Sequence, residues 1–343
     1  MSDVDEPLLR IRDLVVRFAT EDGPLTAVDG VSIEARPGEV VGIVGESGSG
    51  KSVTVMSILG LLPGSASVDG GSIEWRGTDL AGLPARAMRR IKGRDIAVVF
   101  QDPMTSLNPV LTVGWQLREA VRAHQPELSR PEVAQRAVEL LEAVGVPDAR
   151  TRVRQFPHQF SGGMRQRAMI AMAVANQPAL LIADEPTTAL DVTVQAQVLR
   201  VLTDPNVRAD AAMLLVTHDL GLVAERAHRV VVMYGGRVVE SGDVREIFRR
   251  PRHPYTVALL RSLPRLDDRV DRLASIPGAP PGLADRPPGC PFEPRCWLGN
   301  GRPECVTTVP PLLEVGVRHH SACHFVDELE AGAEPMVGSG VRS

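Results

Sequence analysis

The stretch that decides the fold is VVGIVGESGSGKS, residues 40–52. VVGIV is a continuous apolar run, which is typical of a strand covered on both faces. GESGSGKS matches GxxxxGK(S/T) in full, and VTVMSILGLL, the apolar stretch after it, is typical of a helix. The glycines let backbone N–H groups turn inward around phosphates, and the helix start adds its positive end. The alternative is a glycine-rich turn with a chance lysine, but the strand–loop–helix context favours phosphate binding. The predicted phosphate-binding residues are Gly45, Glu46, Ser47, Gly48, Ser49, Gly50, Lys51 and Ser52.

An acidic strand end supplies the second half of a nucleotide site. Lys51 is predicted to contact the β- and γ-phosphates of ATP, and the Ser52 hydroxyl to bind Mg²⁺. LLIADE ends in Asp184, which could hold the Mg²⁺ shell, and in Glu185, which could polarise an attacking water. Adjacent carboxylates at a strand end are often only solvated charges. Behind a phosphate-binding loop, they indicate a nucleotide hydrolase.

Further apolar runs extend the predicted sheet. IAVVF (96–100), LLIADE (180–185) and MLLVTH (213–218) read as buried strands, and RVVVMYGGRVVESG reads as a hairpin turning at Gly235-Gly236. The segment from about 103 to 164 is dominated by helical patterns. We therefore predict an α/β fold of the P-loop NTPase (RecA-like) type, with a mixed sheet, an antiparallel β subdomain and a helical insert.

Composition limits the class of function. The chain has 343 residues, a formal net charge of −4, 43% hydrophobic residues and 23% charged residues. The acidic balance argues against a broad nucleic-acid surface. No apolar run reaches the roughly 18 to 20 residues that span a bilayer, and MSDVDEPLLR lacks the features of a signal peptide. We therefore expect a cytoplasmic protein, and any transport role would need other chains to form the pore.

A set of motifs in a fixed order resembles the ATPases of ABC transporters. Ser161-Gly162-Gly163-Met164-Arg165-Gln166-Arg167 resembles their signature motif, although alone it could be an ordinary capped helix. Gln101 follows IAVVF where the family has its Q-loop, and Ala189-Leu190-Asp191 matches the D-loop. His218 ends MLLVTH where the family has its switch histidine. The resemblance covers residues 8 to about 245 and predicts an enzyme that hydrolyses ATP.

The resemblance implies a role for each matching residue. Two ATPase subunits would pair head to tail, with ATP between the phosphate-binding loop of one and Ser161, Gly162, Gly163 and Asp191 of the other. Glu185 would be the general base and His218 would contact the γ-phosphate. Gln101 would approach Mg²⁺, together with Ser52 and Asp184, and link the site to the insert that docks on membrane subunits. Phe18 fits the aromatic residue that stacks on adenine, although a strand Phe is also commonly a core residue.

Several segments resemble one branch of the family, the D-type ATPases of dipeptide and oligopeptide importers. They are FSGGMRQRAMIAM, QDPMTSLNPVLTVGWQ, RHPYT and the tail from SIPGAPPGL to ACHF. This resemblance implies a heterodimer with an F-type ATPase, two permease subunits and an extracytoplasmic binding protein, with the chain peripheral on the cytoplasmic membrane face. Nickel and glutathione importers use the same ATPase type. We predict an ATPase domain over 1–264, a Pro/Gly/Cys-rich C-terminal extension over 265–327 and a disordered tail over 328–343.

All four cysteines lie in the C-terminal extension. They are Cys290, Cys296, Cys305 and Cys323. Their spacing matches neither the CxxC pairs of zinc ribbons nor the CxxCxxC run of ferredoxins. In some members of the family the corresponding cysteines hold a 4Fe–4S cluster, so a cluster, a zinc site and free thiols all stay open. The neighbouring His319, His320 and His324 are interpreted as surface residues.

Three other classes of protein are less consistent with the sequence. Soluble ABC ATPases of repair or translation usually have two cassettes, a coiled coil or a basic arm, and none of these is visible. Exporter ATPases are often fused to membrane spans and would not carry this tail. A generic P-loop kinase would leave the SGG segment and His218 unexplained.

Overall fold

The computed structural model of the chain describes residues 6–100, 106–186, 192–204, 207, 211–262 and 276–330. Gln101 and Asp191, which the sequence assigns to the nucleotide site, lie outside these ranges, as do 263–275 and 331–343. Of the helices in the described ranges, none has the length and apolar character needed to cross a membrane.

Strands and helices alternate through most of the chain. The strands are β1 (Leu9–Thr20), β2 (Gly23–Ala35), β3 (Val40–Val44), β4 (Ala66–Trp75), β5 (Thr78–Asp79), β6 (Ile96–Val99), β7 (Leu180–Asp184), β8 (Ala212–Val216), β9 (Arg229–Tyr234), β10 (Arg237–Asp243), β11 (Leu313–Gly316) and β12 (His319–Ser321). The helices are α1 (Lys51–Ile58), α2 (Ala85–Ile91), α3 (Val113–Arg122), α4 (Arg130–Ala143), α5 (Ala149–Arg152), α6 (Gly162–Ala173), α7 (Val192–Thr203), α8 (Leu220–Arg226), α9 (Val244–Arg249), α10 (Pro254–Arg261), α11 (Pro303–Thr307) and α12 (Val326–Glu330). Two 3-10 turns, Pro157–Gln159 and Glu293–Arg295, complete the described elements.

The larger of two sheets has the strand order β11-β12-β10-β9-β3-β8-β7-β6. The strands from β9 to β6 in this order are parallel, whereas β10, β12 and β11 are antiparallel to their neighbours. Every residue of β3, β7 and β8 is buried, as continuous apolar runs predict for strands covered on both faces. The parallel arrangement brings the carboxyl ends of β3, β7 and β8 to one edge.

Each face of the large sheet has its own hydrophobic core. Side chains alternate along a strand, so Val41 and Ile43 pack against the antiparallel sheet β2-β1-β4-β5, whereas Val40 and Val44 face the helices on the other side. Gly42 lies between them, and a Cβ there would stand 2.8 Å from the Val223 side chain in α8. The two cores fix β3, and with it the loop that follows.

The helical insert is formed by α3 to α6 and packs on the core that contains Val40 and Val44. Three of its four helices begin at side-chain caps, which accept hydrogen bonds from otherwise unpaired N–H groups. Thr112 caps α3, Ser129 forms a capping box with Glu132 at α4, and Ser161 caps α6. The predicted fold class, with its mixed sheet, antiparallel subdomain and helical insert, is confirmed.

The C-terminal extension joins the large sheet directly. Strand β12 pairs antiparallel with β10, and β11 pairs with β12. His319 in β12 is 3% exposed and contacts Glu240, which is fully buried in β10, with 2.7 Å between Nε2 and Oε1. The interpretation of His319 as a surface residue is therefore wrong, because its strand forms the continuation of the core sheet. The domain boundaries given above stay a prediction.

Candidate nucleotide-binding site

A cavity of about 470 Å³ lies at the carboxyl edge of the parallel strands. This volume is in the range typical of small-molecule sites. Its lining residues come from β1, β2, the loop before α1, the ends of β7 and β8, and the C-terminal extension. They are Phe18, Ala27, Gly45, Ser47, Gly48, Ser49, Gly50, Lys51, Ser52, Val53, Glu185, His218 and Leu283. The cavity therefore brings together most of the residues that the sequence predicts to bind one nucleotide.

The loop between β3 and α1 depends on glycine at its first position. Gly45 has a φ of 155°, and a Cβ there would lie 2.2 Å from the Met233 carbonyl oxygen. The turn between β9 and β10 supports the loop from below, since the Gly236 N–H donates to the Ser49 carbonyl at 3.1 Å. This glycine pattern therefore reflects both backbone conformation and close packing.

Lys51 begins α1 and points into the loop. Its side chain is buried, and Nζ donates to the carbonyl oxygens of Gly45 at 2.7 Å and Glu46 at 2.9 Å. Burial lowers the pKa of Lys51, while the carboxylates of Glu185, Asp184 and Glu46 act in the opposite direction. The ammonium group thus lies where a β- or γ-phosphate would provide a strong charge partner.

Ser52 and Asp184 form a small oxygen-rich site next to the loop. The Ser52 hydroxyl donates to Asp184 Oδ1 at 3.2 Å. Burial raises the pKa of Asp184, and the hydrogen bond from Ser52 partly offsets this. A hydroxyl and a carboxylate are the oxygen donors that Mg²⁺ prefers, so these two residues fit a magnesium site. The third predicted ligand, Gln101, lies outside the described residues.

Glu185 adopts an unusual backbone conformation at the end of β7. Its φ is 46°, in the left-handed region that non-glycine residues seldom adopt, and its N–H donates to the Val216 carbonyl at 2.9 Å. The carboxylate Oε2 lies 3.6 Å from Nδ1 of His218, which follows the end of β8 and is 66% exposed. Such strained positions are frequent at functional sites. Glu185 lines the cavity together with Lys51.

The signature segment begins a helix but does not line this cavity. Ser161 Oγ accepts a hydrogen bond from the Met164 N–H at 3.3 Å, as predicted for a capped helix. Ser161, Gly162 and Gly163 are absent from the residues that line the cavity. An arrangement in which a second chain supplies them is consistent with this separation. The other residue predicted to act across the dimer, Asp191, lies in a part of the chain that the structure does not describe.

Sequence reasoning predicted no contact at the site for two further residues. Gln166 is buried on α6 and its Nε2 donates to the Pro186 carbonyl at 2.6 Å, which links the signature helix to the segment after Glu185. Leu283 of the C-terminal extension lines the cavity that also contains Phe18. Leu283 is marked by no local pattern. Gln166 belongs to the signature segment, but that motif does not predict its contact with Pro186, which forms only when the tertiary structure brings the two together.

The four cysteines of the extension converge on one narrow cavity of about 10 Å³. Burial is the main factor that raises the pKa of Cys290 and Cys323 to about 12 and that of Cys305 to about 11. Without a metal these thiols are therefore protonated at neutral pH. No group of three or more His, Cys, Asp or Glu residues in the described ranges has an arrangement suited to a metal ion. Four cysteines are the donor set of a 4Fe–4S cluster. Their arrangement in the described residues does not fit one.

Comparisons with known proteins place the chain in a family. The family model described as ABC transporter matches residues 28–188, and the one described as Oligopeptide/dipeptide transporter, C-terminal region, matches residues 239–305. The chain is 55% identical over 318 residues to the oligopeptide transport ATP-binding protein OppD of Mycobacterium bovis, covering 92% of this chain and 52% of that protein. It is 50% identical over 318 residues to the dipeptide transport ATP-binding protein DppD of Escherichia coli, covering 93% and 96%. The chain thus spans about half the length of the mycobacterial relative and nearly all of the second.

A solved structure supports the same assignment at the level of the fold. The dimeric post-hydrolysis state of the ATP-binding cassette MJ0796, bound to ADP and Pi, is 26% identical to this chain with a TM-score of 0.62. The match covers 69% of this chain and 99% of that one. The family resemblance predicted from the motifs is confirmed: the chain belongs to the ABC transporter ATP-binding family and carries the oligopeptide/dipeptide transporter C-terminal region.

Proposed function

We propose that the chain is the ATP-hydrolysing subunit of an ABC importer that takes up dipeptides or oligopeptides. The observation that carries this proposal is that one cavity is lined by Lys51, Ser52, Glu185 and His218 together. Such a site has a cation for phosphates, a hydroxyl for Mg²⁺ and a carboxylate able to activate water. The relatives OppD and DppD are named as oligopeptide and dipeptide transport proteins, which supports the peptide substrate class.

Each residue of the site would have a separate role in ATP hydrolysis. Lys51 and the loop N–H groups would bind the phosphates, and Phe18 would stack on adenine. Glu185 would accept a proton from the attacking water. His218, whose Nδ1 lies 3.6 Å from the Glu185 carboxylate, would contact the γ-phosphate. Ser52 and Asp184 would hold Mg²⁺, which when bound neutralises charge on the β- and γ-oxygens.

A second ATPase subunit would complete the site. The N–H groups at the start of α6 form an anion-binding helix end, and Ser161 fixes its geometry. Because this helix start lies outside the ATP cavity of its own chain, it would meet the γ-phosphate held by a facing subunit. ATP would then stabilise the closed dimer, and loss of the γ-phosphate contacts would release it.

The partners follow from the family. We propose pairing with an F-type ATPase, docking of the helical insert on two permease subunits, and an extracytoplasmic binding protein that delivers the substrate. This would place the chain at the cytoplasmic face of the membrane. The same motor role in a nickel or glutathione importer is the alternative.

The assignment of Glu185 is tested in the complete transporter. Glu185→Gln should retain ATP binding, abolish steady-state hydrolysis and favour the closed dimer, because the amide cannot accept the proton from water. The matched control is Glu225→Gln, which removes a carboxylate that is 66% exposed on α8. Unchanged hydrolysis in the Glu185 variant would defeat the general-base role. Co-purification of the membrane partners, followed by peptide uptake, tests the import function.

We also propose a 4Fe–4S cluster in the C-terminal extension. Its support is the convergence of Cys290, Cys296, Cys305 and Cys323 on one cavity, and it needs an arrangement of the thiols different from the described one. The measurement is the iron and sulfide content of protein purified without oxygen. About four iron atoms per chain would support the cluster. Zinc alone, or protein without metal, would reject it.

A further inference from the structure

The phosphate-binding loop contains an acidic residue next to its anion site. Glu46 follows the first glycine of the loop, and its carboxylate contributes to the electrostatic environment of Lys51. A negative charge here would repel the phosphates of ATP unless another group neutralised it. ATP binding therefore requires a cation that neutralises the Glu46 carboxylate.

Arg295 of the C-terminal extension neutralises this carboxylate. Its Nη1 lies 2.5 Å from Oε2 of Glu46, and its Nη2 lies 3.1 Å from Oε1, which is a bidentate pair. The Arg295 side chain is only 5% exposed, so water screens the pair weakly. Its Nε donates to the Pro277 carbonyl at 2.8 Å, and Nη1 donates to the Tyr234 hydroxyl at 3.1 Å. The guanidinium is thus fixed from both the extension and the core sheet.

The backbone of Glu46 is also held on both sides. Its N–H donates to the Tyr255 hydroxyl at 2.8 Å, and its carbonyl accepts from Lys51 Nζ at 2.9 Å. Tyr255 is fully buried and packs against Tyr234 with 4.6 Å between ring centroids. Arg295 therefore contacts the side chain of Glu46, and the backbone of Glu46 contacts the ammonium of Lys51.

We propose that Arg295 is a positioning residue for the phosphate-binding loop, so that the C-terminal extension sets the affinity of the site for ATP. Arg295 neutralises Glu46, so that the carboxylate neither repels the phosphates nor attracts the ammonium of Lys51 away from them. This inference rests on the proposed function, because it assigns Arg295 to the same ATP site. Leu283 provides separate support, since this residue of the extension lines the ATP cavity itself.

The competing explanation is that the ion pair only fastens the extension to the ATPase domain. A double-mutant cycle separates the two. If Arg295 acts by neutralising Glu46, the loss of affinity in Arg295→Gln should be relieved when Glu46→Gln removes the unpaired carboxylate. If the pair is only a fastener, the double variant would be at least as impaired as Arg295→Gln.

The test is a titration of the full chain with a fluorescent ATP analogue. We expect Arg295→Gln to weaken binding about tenfold, equivalent to about 1.4 kcal/mol. The double variant should recover most of this loss. Wild-type affinity in Arg295→Gln, or no recovery in the double variant, would overturn the proposal.

The matched control is Arg302→Gln. Arg302 also forms a bidentate pair within the extension, with Glu328 at 2.8 and 2.9 Å, but this pair is exposed and involves no residue of the phosphate-binding loop. Its loss should leave ATP affinity unchanged. If Arg295→Gln does not fold, Arg295→Lys keeps the charge without the bidentate geometry. An intermediate loss is then expected, and wild-type affinity would count against the proposal.

Failure of the proposed function gives a different result. If the wild-type chain does not bind the analogue, or if Lys51→Ala binds it equally well, then the ATP site itself is wrongly assigned. If the wild type binds, Lys51→Ala does not and Arg295→Gln is unaffected, only the role of Arg295 fails.

Discussion

Replacing His319 with alanine would remove one of the hydrogen-bond partners of a fully buried carboxylate. Glu240 accepts from the Arg252 N–H at 2.6 Å, from the His253 N–H at 3.0 Å and contacts His319 Nε2 at 2.7 Å. A hydrogen bond to a charged group contributes about 1.5 to 3 kcal/mol, and the imidazole that packs over Gly242 leaves a small cavity when removed. We therefore expect His319→Ala to lower the free energy of unfolding by about 3 kcal/mol.

The assay is urea unfolding followed by circular dichroism. A lower midpoint with an unchanged m-value would show a loss of stability without a change in the surface exposed on unfolding. His320→Ala is the control, because His320 is the next residue of β12, is only partly buried and points to the opposite face. A His319→Ala variant within about 0.5 kcal/mol of wild type would refute the reasoning. It would mean that the two backbone N–H groups satisfy Glu240 without the histidine.

Two further predictions concern the nucleotide site. Phe18→Ala should weaken ATP binding by about 1 kcal/mol or more, because stacking on a base contributes about 1 to 3 kcal/mol. Titration with labelled ATP measures this loss. Equal affinity in the variant and the wild type would mean that Phe18 only shapes the cavity. Gln166→Ala should lower stability by about 1 to 3 kcal/mol, because the Pro186 carbonyl would lose its buried donor, and thermal unfolding measures this. Wild-type stability in that variant would show that water replaces the donor.

The phosphate-binding loop could be predicted because its signals are local. The apolar run of β3, the glycines with their backbone freedom and the apolar stretch that begins in α1 lie within a few residues of one another. The carboxylates at the end of β7 could also be expected at the same edge, because parallel strands bring their carboxyl ends together. The unusual φ of Glu185 could not be predicted, because Glu has no intrinsic preference for that conformation.

The role of the C-terminal extension in the fold was harder to predict. Its composition marks it as different from the ATPase domain, and short strands in a Pro/Gly-rich segment give weak patterns. In the structure, β12 extends the central sheet by pairing with β10, and His319 becomes buried against Glu240. Strand pairing at a sheet edge depends on an unpaired neighbour, and a linear sequence does not show which edge is open.

The sequence by itself determined the family, the sheet with its phosphate-binding loop and the identity of the residues that meet there. Local backbone preferences and the alternation of apolar residues are short-range properties, so they can be read along the chain. Only the tertiary structure decided that Arg295 and Glu46, 249 residues apart, form one ion pair at the ATP site. The physical reason is that such a contact depends on the packing of the whole sheet and its extension, and no spacing within the sequence encodes it.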